Sequence, residues 1–250
     1  MSSEITMGFP LIRLDQTDST NACALKIIKD GNAMEGTVIL TAYQTHGRGQ
    51  KGNSWESERG KNLLFSFILL PDFLEVRKQF YLLMSISLGL VDLMLQGGIK
   101  AIIKWPNDIC VSGRKIGGIL IENSVAGNYL TSTVAGIGLN VNQTSFTASV
   151  SHPTSLKLEL GREINCEILF SDALKHLTEW IRKLYRKEWT VIQGVYLQHL
   201  MHYDQWAEYT DSTGNFRGRI AGILEGGELV VEKQNGIFYH YAFKEIEYRI

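Results

Sequence analysis

Short apolar runs separated by polar or glycine-rich segments dominate the first part of the chain, and they predict β-strands. The predicted strands are TVILTAYQ (37–44), NLLFSFILL (62–70), AIIKW (101–105), KIGGILIENS (115–124) and YLTSTVAGIGLNVN (129–142). One long helical segment, at about 76–96, lies between the second and third of these strands. Strands that follow one another without helices pair antiparallel, so the pattern predicts an α+β fold and argues against a regular βαβ repeat.

Helical periodicity predicts further helices near the N-terminus and after the strands. The first begins at about Thr20, after candidate capping residues, and ends near Gly31. From Cys166 onward, apolar residues recur at helical spacing, namely Leu169, Leu174, Leu177, Ile181 and Leu184, and the pattern continues through 191–203. His199 and His202 lie three positions apart in this region, but without a third ligand they are more typical of ordinary helix residues than of a metal site.

The pattern changes again after about Gln205, where short alternating runs are separated by Gly-Gly and Asn-Gly turns. These runs are FRGRIAGIL, GELVVEKQ, GIFYHYAF and EIEYRI. They predict a small C-terminal β-barrel that needs its neighbour for stability. We therefore expect two domains, at 1–204 and 205–250.

Composition narrows the class of protein. With 44% apolar residues among 250, the chain can bury a full core. Its 25 basic and 26 acidic residues give a formal charge of -1, so no general attraction to nucleic acid or membrane is expected. Three widely spaced cysteines and an N-terminus without a secretion signal favour the cytoplasm. The apolar segment 81–95 is too short to cross a bilayer and contains Asp92, so it predicts a buried helix.

The loop YQTHGRGQKGNSW (43–55) contains the spacing G-x-G-x-x-G but does not predict a dinucleotide site. The residues that follow it, 53–62, lack the helical periodicity that such a site requires. A P-loop is also excluded, because Asn53 stands where its lysine would be. What remains is a polar loop and the segment after it, whose backbone amides and cations, Arg48, Lys51 and Arg59, can approach an anion.

Further glycines and cations lie along the predicted strands. KWPNDI (104–109) ends a strand with a cation, an aromatic residue, a proline, an amide and a carboxylate, although Asn and Asp beside Pro are also ordinary turn formers. Gly117/Gly118 and Gly136/Gly138 interrupt two strands, as a bulge or a close ligand approach would require. Together with the glycine loop, they indicate a flat ligand lying over a sheet.

These residues suit activation of a carboxylate by ATP. Attack of a carboxylate on the α-phosphate meets like-charge repulsion, so the site must supply cations and amide donors rather than a covalent nucleophile. Arg48, Lys51, Lys104 and Lys115 are the candidate cations. No nucleophile motif or metal-ligand spacing accompanies them. For Trp55, in a polar glycine-rich loop, stacking on adenine is favoured over partial burial in the core.

The chain resembles the biotin protein ligases in six ordered blocks. The blocks are DSTN (18–21), YQTHGRGQKGNSW (43–55), GKNLLFSFIL (60–69), KWPNDI (104–109), GRKIGGILIE (113–122) and GIGLNVN (136–142). The resemblance implies an α+β fold with a mixed or antiparallel sheet like that of class II aminoacyl-tRNA synthetases, and a small SH3-like C-terminal barrel. It also implies that biotin reacts with Mg-ATP to give biotinyl-5′-AMP. Biotin is then transferred to a lysine of a biotin carboxyl carrier domain, such as that of acetyl-CoA carboxylase.

The same resemblance assigns roles to residues of this chain. Arg48, Lys104, Lys115 and Asp108 are the implied catalytic residues, and Asp108 orients the incoming lysine amine. The implied biotin-binding residues are Ser19, Thr20, Asn21, Gln44, Gly47, Arg48, Gly49, Gln50, Lys115, Gly118, Gly136 and Gly138. The implied ATP-binding residues are Arg48, Lys51, Trp55, Lys104, Asn107 and Asn140. Gln50 departs from the family pattern, which has a second arginine there, and the metal ligands are unknown.

Two alternatives to a biotin ligase remain. A lipoate or octanoate ligase on a related scaffold would show an R-R-x-x-G-G-G block, which this chain lacks. A biotin-sensing module without catalysis would have lost the cations, whereas Arg48, Lys104 and Lys115 are present. Relatives that repress transcription carry an N-terminal helix-turn-helix, and because only 17 residues precede the DSTN block we expect no DNA binding. The oligomeric state is left open, a homodimer included.

Overall fold

A seven-stranded sheet forms the body of the protein. The computed structural model describes residues 5–147 and 152–249, without the side chain of Lys51. The strands are β1 (Leu11–Leu14), β2 (Val38–Thr41), β3 (Asn62–Leu69), β4 (Ala101–Lys104), β5 (Asp108–Val111), β6 (Arg114–Ala126) and β7 (Tyr129–Asn140). Their order in the sheet is β1-β2-β3-β7-β6-β5-β4, with β1 parallel to β2 and every other pair antiparallel. The predicted mixed α+β fold is therefore confirmed.

Helices cover one face of this sheet and part of the other. They are α1 (Thr20–Lys29), α2 (Phe80–Gln96), α3 (Leu156–Leu160), α4 (Cys166–Tyr185) and α5 (Trp189–His199). Alternate residues of β3, among them Phe65 and Phe67, belong to the same core as α2, α4 and α5. On the opposite face, Ile68 packs with Ala24 of α1 in a smaller core. Since α1 covers only part of that face, the remainder is open to form a cleft.

The apolar segment around α2 is a buried core helix, as predicted. Val76–Gln96 has a mean hydropathy of 1.3 and is long and apolar enough to cross a membrane by those criteria alone. Most of it is buried inside the protein, where α2 packs against α4. The carboxylate of Asp92 accepts a hydrogen bond of 2.6 Å from the indole of Trp180 in α4. Burial against α4 and the sheet therefore accounts for its apolar composition.

A second, five-stranded sheet follows the helices. Its strands are β8 (Trp206–Asp211), β9 (Gly214–Ile223), β10 (Leu229–Lys233), β11 (Phe238–Tyr241) and β12 (Ile246–Tyr248). They lie in the order β11-β10-β9-β8-β12, and all pairs are antiparallel. The turn between β4 and β5 docks on this sheet through Trp105, whose indole donates a 3.0 Å hydrogen bond to the Gly227 carbonyl. The C-terminal sheet is thereby held beside one end of the main sheet.

Four short elements were missing from the sequence-based prediction. They are β1, β5, β8 and α3. Strand β5 begins at Asp108, directly after the turn residues of KWPNDI, and forms a tight hairpin with β4. In the sequence this hairpin resembles one strand followed by a turn. The other three span only four to six residues each, too few for hydrophobic periodicity to register.

Two helical glycines should respond oppositely to alanine. An added Cβ at Gly194 in α5 would have nothing within 4 Å, so Gly194→Ala should stabilise the protein by about 0.5–1 kcal/mol. At Gly89 in α2 the added atom would lie 3.0 Å from the Leu177 Cα in α4, so Gly89→Ala should destabilise by about 1–3 kcal/mol. Thermal melts of both variants test this, and a lower melting temperature for Gly194→Ala would contradict it.

Candidate active site

A row of paired residues across five strands forms the floor of the cleft. Leu64 pairs with Gly138, Gly138 with Gly118, and Gly118 with Asp108. Asp108 in turn pairs with Lys104 in β4. Because residues directly opposite each other in antiparallel strands share a face, all five lie on the same side of the sheet. The floor therefore has no side chain of its own at its two glycines, and it ends in the carboxylate of Asp108 and the ammonium group of Lys104.

The glycines of the floor are required by protein side chains that lie on them. A Cβ at Gly136 would lie 2.2 Å from Asn21 Oδ1, and one at Gly138 would lie 2.4 Å from the Trp55 indole. Trp55 also approaches Gly118, where an added Cβ would be 3.2 Å from its ring. These positions thus admit α1 and the glycine loop close to the sheet. That they also admit a ligand stays a prediction.

A hydrogen-bonded group of neutral side chains lies at the α1 end of the cleft. The side-chain oxygen Oε1 of Gln44 accepts two hydrogen bonds from Thr20. One comes from the backbone N–H at 2.8 Å and the other from the side-chain hydroxyl at 3.1 Å. Ser66 in β3 lies 2.6 Å from both Thr20 Oγ1 and Asn21 Oδ1. The Asn21 amide donates to the Glu122 carboxylate at 2.7 Å. The network orients these groups and leaves the Gln44 amide without a partner among the described residues.

The glycine loop is a small hairpin. The Trp55 amide donates to the Gly47 carbonyl at 2.9 Å, and the Gly49 amide donates to the Asn53 carbonyl at 2.7 Å. A 3₁₀ turn at Gln50–Gly52 closes the hairpin, with Gly52 at φ 88°. The absence of an α-helix here confirms that the G-x-G-x-x-G spacing is not a dinucleotide turn.

The cations Arg48 and Arg59 lie in different places in the structure. Arg48 is exposed and lines the cleft. Arg59 lies elsewhere, since it pairs with Asp15 at 2.9 Å and stacks on Tyr43, so grouping it with the anion-binding cations was wrong. The side chain of Lys51 lies outside the described part of the chain, and its predicted role is untested.

A bulge brings Lys115 into the cleft. The register between β5 and β6 shifts at Ile109/Cys110, so that Cys110 pairs with Lys115. Strict alternation would put Lys115 on the opposite face from Gly118, and the bulge reverses this. Lys115 Nζ consequently lies 2.6 Å from Asp108 Oδ1, and it stands 5.7 Å from the centre of the Trp55 ring. Both charged groups are partly exposed, so an incoming anion can reach the Lys115 ammonium group.

The buried thiol beside this pair is not a nucleophile. Burial, with a further contribution from the Asp108 carboxylate, raises the pKa of Cys110 to about 11. The nearby ammonium groups of Lys104 and Lys115 only partly oppose this shift. Cys110 therefore remains a protonated thiol at neutral pH, consistent with a site that works through fixed charges.

Most of the predicted residues line one cavity of about 640 Å³. They are Ser19, Thr20, Asn21, Gln44, Arg48, Gly49, Gln50, Trp55, Lys104, Asn107, Asp108, Lys115, Gly118, Gly136 and Gly138. Gly47 is buried in the loop hairpin instead. Asn140 lines an adjoining cavity of about 510 Å³, which shares Trp55, Lys104, Asp108 and Lys115 with the first. The structure thus brings residues from distant blocks into one continuous space.

Two of the predicted ATP contacts also hold the backbone together. The Asn107 amide donates to the Ile119 carbonyl at 2.8 Å, across β5 and β6. The Asn140 amide donates to the Thr154 carbonyl at 3.0 Å, and the Thr154 amide donates to the Lys115 carbonyl at 2.8 Å. Both asparagines therefore position the strands that carry Asp108 and Lys115.

Several residues of the site were not predicted from the sequence. Ser66 and Glu122 hold Asn21, and the only signal for Ser66 is a single hydroxyl within an otherwise apolar run. The C-terminal sheet adds Phe243, Lys244, Ile246, Glu247 and Tyr248 to the cavity wall. No local motif identifies these five, because the docking of the second sheet alone brings them to the cleft.

Residues 14–140, which include both glycine-bearing strands and the loop hairpin, match the Biotin/lipoate A/B protein ligase family. The chain belongs to this family. Over 244 residues the ligase is 32% identical to the bifunctional ligase/repressor BirA of Bacillus spizizenii, a match that covers 94% of this chain and 73% of that protein. It is 26% identical to the biotin–[acetyl-CoA-carboxylase] ligase of Paracoccus denitrificans, with coverage of 89% and 94%.

Solved structures agree in fold. The ligase superposes on the biotin protein ligase of Aquifex aeolicus in complex with biotin and ATP with a TM-score of 0.77 and 27% identity. That match covers 96% of this chain and 98% of the other. Both sheets of the ligase therefore belong to the shared architecture.

Proposed function

We propose that the ligase activates biotin with ATP to biotinyl-5′-AMP and then transfers biotin to a lysine of a biotin carboxyl carrier domain. The observation that carries this proposal is that the cleft has neutral hydrogen-bonding groups at one end and cations at the other. A neutral hydrogen-bonding group at Thr20, Asn21 and Gln44 suits the uncharged ureido ring of biotin, and Arg48, Lys104 and Lys115 suit a carboxylate meeting a phosphate. Relatives with biotin ligase names agree with it, and the lipoate and sensing alternatives gain no such support.

In the first step a carboxylate oxygen of biotin attacks the α-phosphorus of ATP, and pyrophosphate leaves. Lys115 and Arg48 offset the negative charge that accumulates as the two anions meet. Lys115 is pre-positioned by its 2.6 Å contact with Asp108, so it needs little reorganisation when the substrates arrive. Trp55, beside Lys115, offers an aromatic face for adenine.

In the second step the neutral amine of the carrier lysine attacks the acyl carbon of the adenylate, an amide bond forms, and AMP leaves together with the proton that the amine loses. Asp108 lies at the end of the glycine floor and lines the cavity, so its carboxylate can accept a hydrogen bond from the amine. Its pairing with Lys115 links the two half-reactions through the same two side chains.

Magnesium enters this scheme as part of the substrate MgATP. Among residues 5–147 and 152–249, no group of three or more His, Cys, Asp and Glu side chains is arranged to hold a metal ion. Mg²⁺ in nucleotide sites is commonly held by substrate phosphates, waters and one or two carboxylates. Asp108 and Glu247 are the carboxylates that line the main cavity and would be available to it.

The remaining assignments are also proposals. The largely antiparallel seven-stranded sheet supports a relationship to class II aminoacyl-tRNA synthetases, and the five-stranded sheet supports an SH3-like domain at 205–250 beside a catalytic domain at 1–204. Cytoplasmic location and the lack of DNA and membrane partners stay predictions from composition, and homodimer formation stays open.

Incubation with a biotin carboxyl carrier domain, biotin and MgATP tests the proposal. The carrier should gain the mass of one biotinyl group by intact-protein mass spectrometry. A carrier with arginine in place of its acceptor lysine is the matched control and should gain none. Labelling of the control carrier to the same extent would show that transfer is not directed to that lysine.

A further inference from the structure

Lys104 is a cation of the cleft that has no acidic partner among the described residues. It ends β4, is half-buried and lines both adjoining cavities. Its cross-strand neighbour Asp108 is already paired with Lys115 at 2.6 Å. Within residues 5–147 and 152–249, Lys104 forms no ion pair and no side-chain hydrogen bond. Something other than a carboxylate must therefore hold this ammonium group.

The ring of Tyr248, from the C-terminal sheet, contacts the ammonium group of Lys104. Lys104 Nζ lies 5.5 Å from the centre of the Tyr248 ring, within the range of a cation–π contact. The ring is itself packed against Tyr209 at 5.5 Å and His202 at 5.8 Å between ring centres. Its hydroxyl is buried, whereas part of the residue faces the cavity. Tyr248 is thus a fixed support rather than a mobile surface side chain.

An aromatic support leaves the charge of Lys104 available to a ligand. A carboxylate would compete with a phosphate for the ammonium group, whereas a ring face attracts the cation without neutralising it. The two rings on this side carry no competing charge, because burial raises the pKa of Tyr248 and, together with the Lys104 charge, lowers the pKa of His202. Phenol and imidazole are therefore favoured in their neutral forms at neutral pH.

We propose that Tyr248 is a positioning residue that holds Lys104, still fully charged, against the phosphates of ATP. The C-terminal sheet thereby contributes to nucleotide binding through its last strand, although it lies outside the matched family region. This inference rests on the proposed function and adds to it a residue that supports the binding of ATP but not of biotin. Because Tyr248 acts on one cation at the nucleotide side, its loss should affect ATP and spare biotin.

The test measures adenylate formation by Tyr248→Leu, Tyr248→Phe and Val231→Ala, with biotinyl-5′-AMP quantified by mass spectrometry. Loss of the ring face in Tyr248→Leu should raise KM for ATP roughly two- to thirtyfold, the range expected of a cation–π contact, while KM for biotin stays close to that of wild type. Tyr248→Phe keeps the ring and should behave as wild type. Val231→Ala, in the buried core of the same sheet, should lower the melting temperature without changing KM for ATP.

A double-mutant cycle with Lys104→Gln distinguishes positioning from direct contact. If Tyr248 acts through Lys104, adding Tyr248→Leu to Lys104→Gln should cause little further loss in kcat/KM for ATP. Fully additive losses, an unchanged KM in Tyr248→Leu, or a Tyr248→Phe variant as impaired as Tyr248→Leu would each overturn the inference. Absence of biotinyl-5′-AMP with folded wild-type protein would instead refute the proposed function, and this inference with it.

Discussion

Lys115→Ala should slow the formation of biotinyl-5′-AMP by roughly 100- to 1000-fold, the usual cost of losing one preorganised group at a developing charge. The ammonium of Lys115 is held in the cleft by Asp108 at 2.6 Å, beside the Trp55 ring. Its removal both withdraws a cation and leaves Asp108 unpaired, which adds repulsion toward incoming phosphate. The rate is measured by single-turnover mixing with excess ligase, so that product release does not limit it.

Lys100→Ala is the matched control for this variant. Lys100 is exposed and lies outside the cavities, shortly before β4. It should form the adenylate at the wild-type rate and melt at the wild-type temperature. If Lys115→Ala were folded and formed the adenylate as fast as Lys100→Ala, Lys115 would have no part in the chemistry.

Gly136→Ala should weaken biotin binding by roughly ten- to a hundredfold, equivalent to about 1.4–2.8 kcal/mol. The added methyl group would lie 2.2 Å from Asn21 Oδ1, so Asn21 has to move away from the sheet. This breaks its contacts with Ser66 at 2.6 Å and Glu122 at 2.7 Å and displaces the polar end of the cleft. Calorimetric titration with biotin, in the absence of ATP, gives the dissociation constant directly.

Gly222→Ala provides the comparison at a strand glycine with free space. Nothing lies within 4 Å of a Cβ at Gly222 in β9, so this variant should bind biotin as wild type does. Equal dissociation constants for the two alanine variants would mean that the Asn21 network does not contribute to the biotin site. Circular dichroism of both proteins shows whether the overall helical content is preserved.

The fold was predictable wherever hydrophobic patterning was long and continuous. The apolar run of β3 identified a strand, which the structure buries on both faces, and the apolar helix α2 was expected to lie in the core, as it does. The parallel strand β1 was not predictable, because its four residues alternate between exposed and half-buried and carry no distinctive pattern. Which strands become neighbours was also inaccessible, since β3 ends at Leu69 and its partner β7 begins only at Tyr129, after α2 and the strands β4, β5 and β6.

The site was predictable in its residue types but not in how they are assembled. Most of the glycines and cations named from the sequence line one cavity, but only the register places Ser66 beside Gly136 and only the bulge turns Lys115 toward Asp108. Tyr248 gave no signal at all, because its role depends on the docking of one sheet against another. Local motifs indicate which kinds of functional group are present, whereas the pairing of distant strands determines which of these groups come into contact.

Isotope exchange between pyrophosphate and ATP tests the central claim that this cleft activates the carboxylate of biotin. Exchange requires reversible adenylate formation and no carrier protein, so it isolates the first step. Purified ligase with MgATP should exchange label only when biotin is present, and neither lipoate nor octanoate should replace it. Exchange supported by lipoate or octanoate as well as by biotin, or no exchange with biotin and folded protein, would contradict the account.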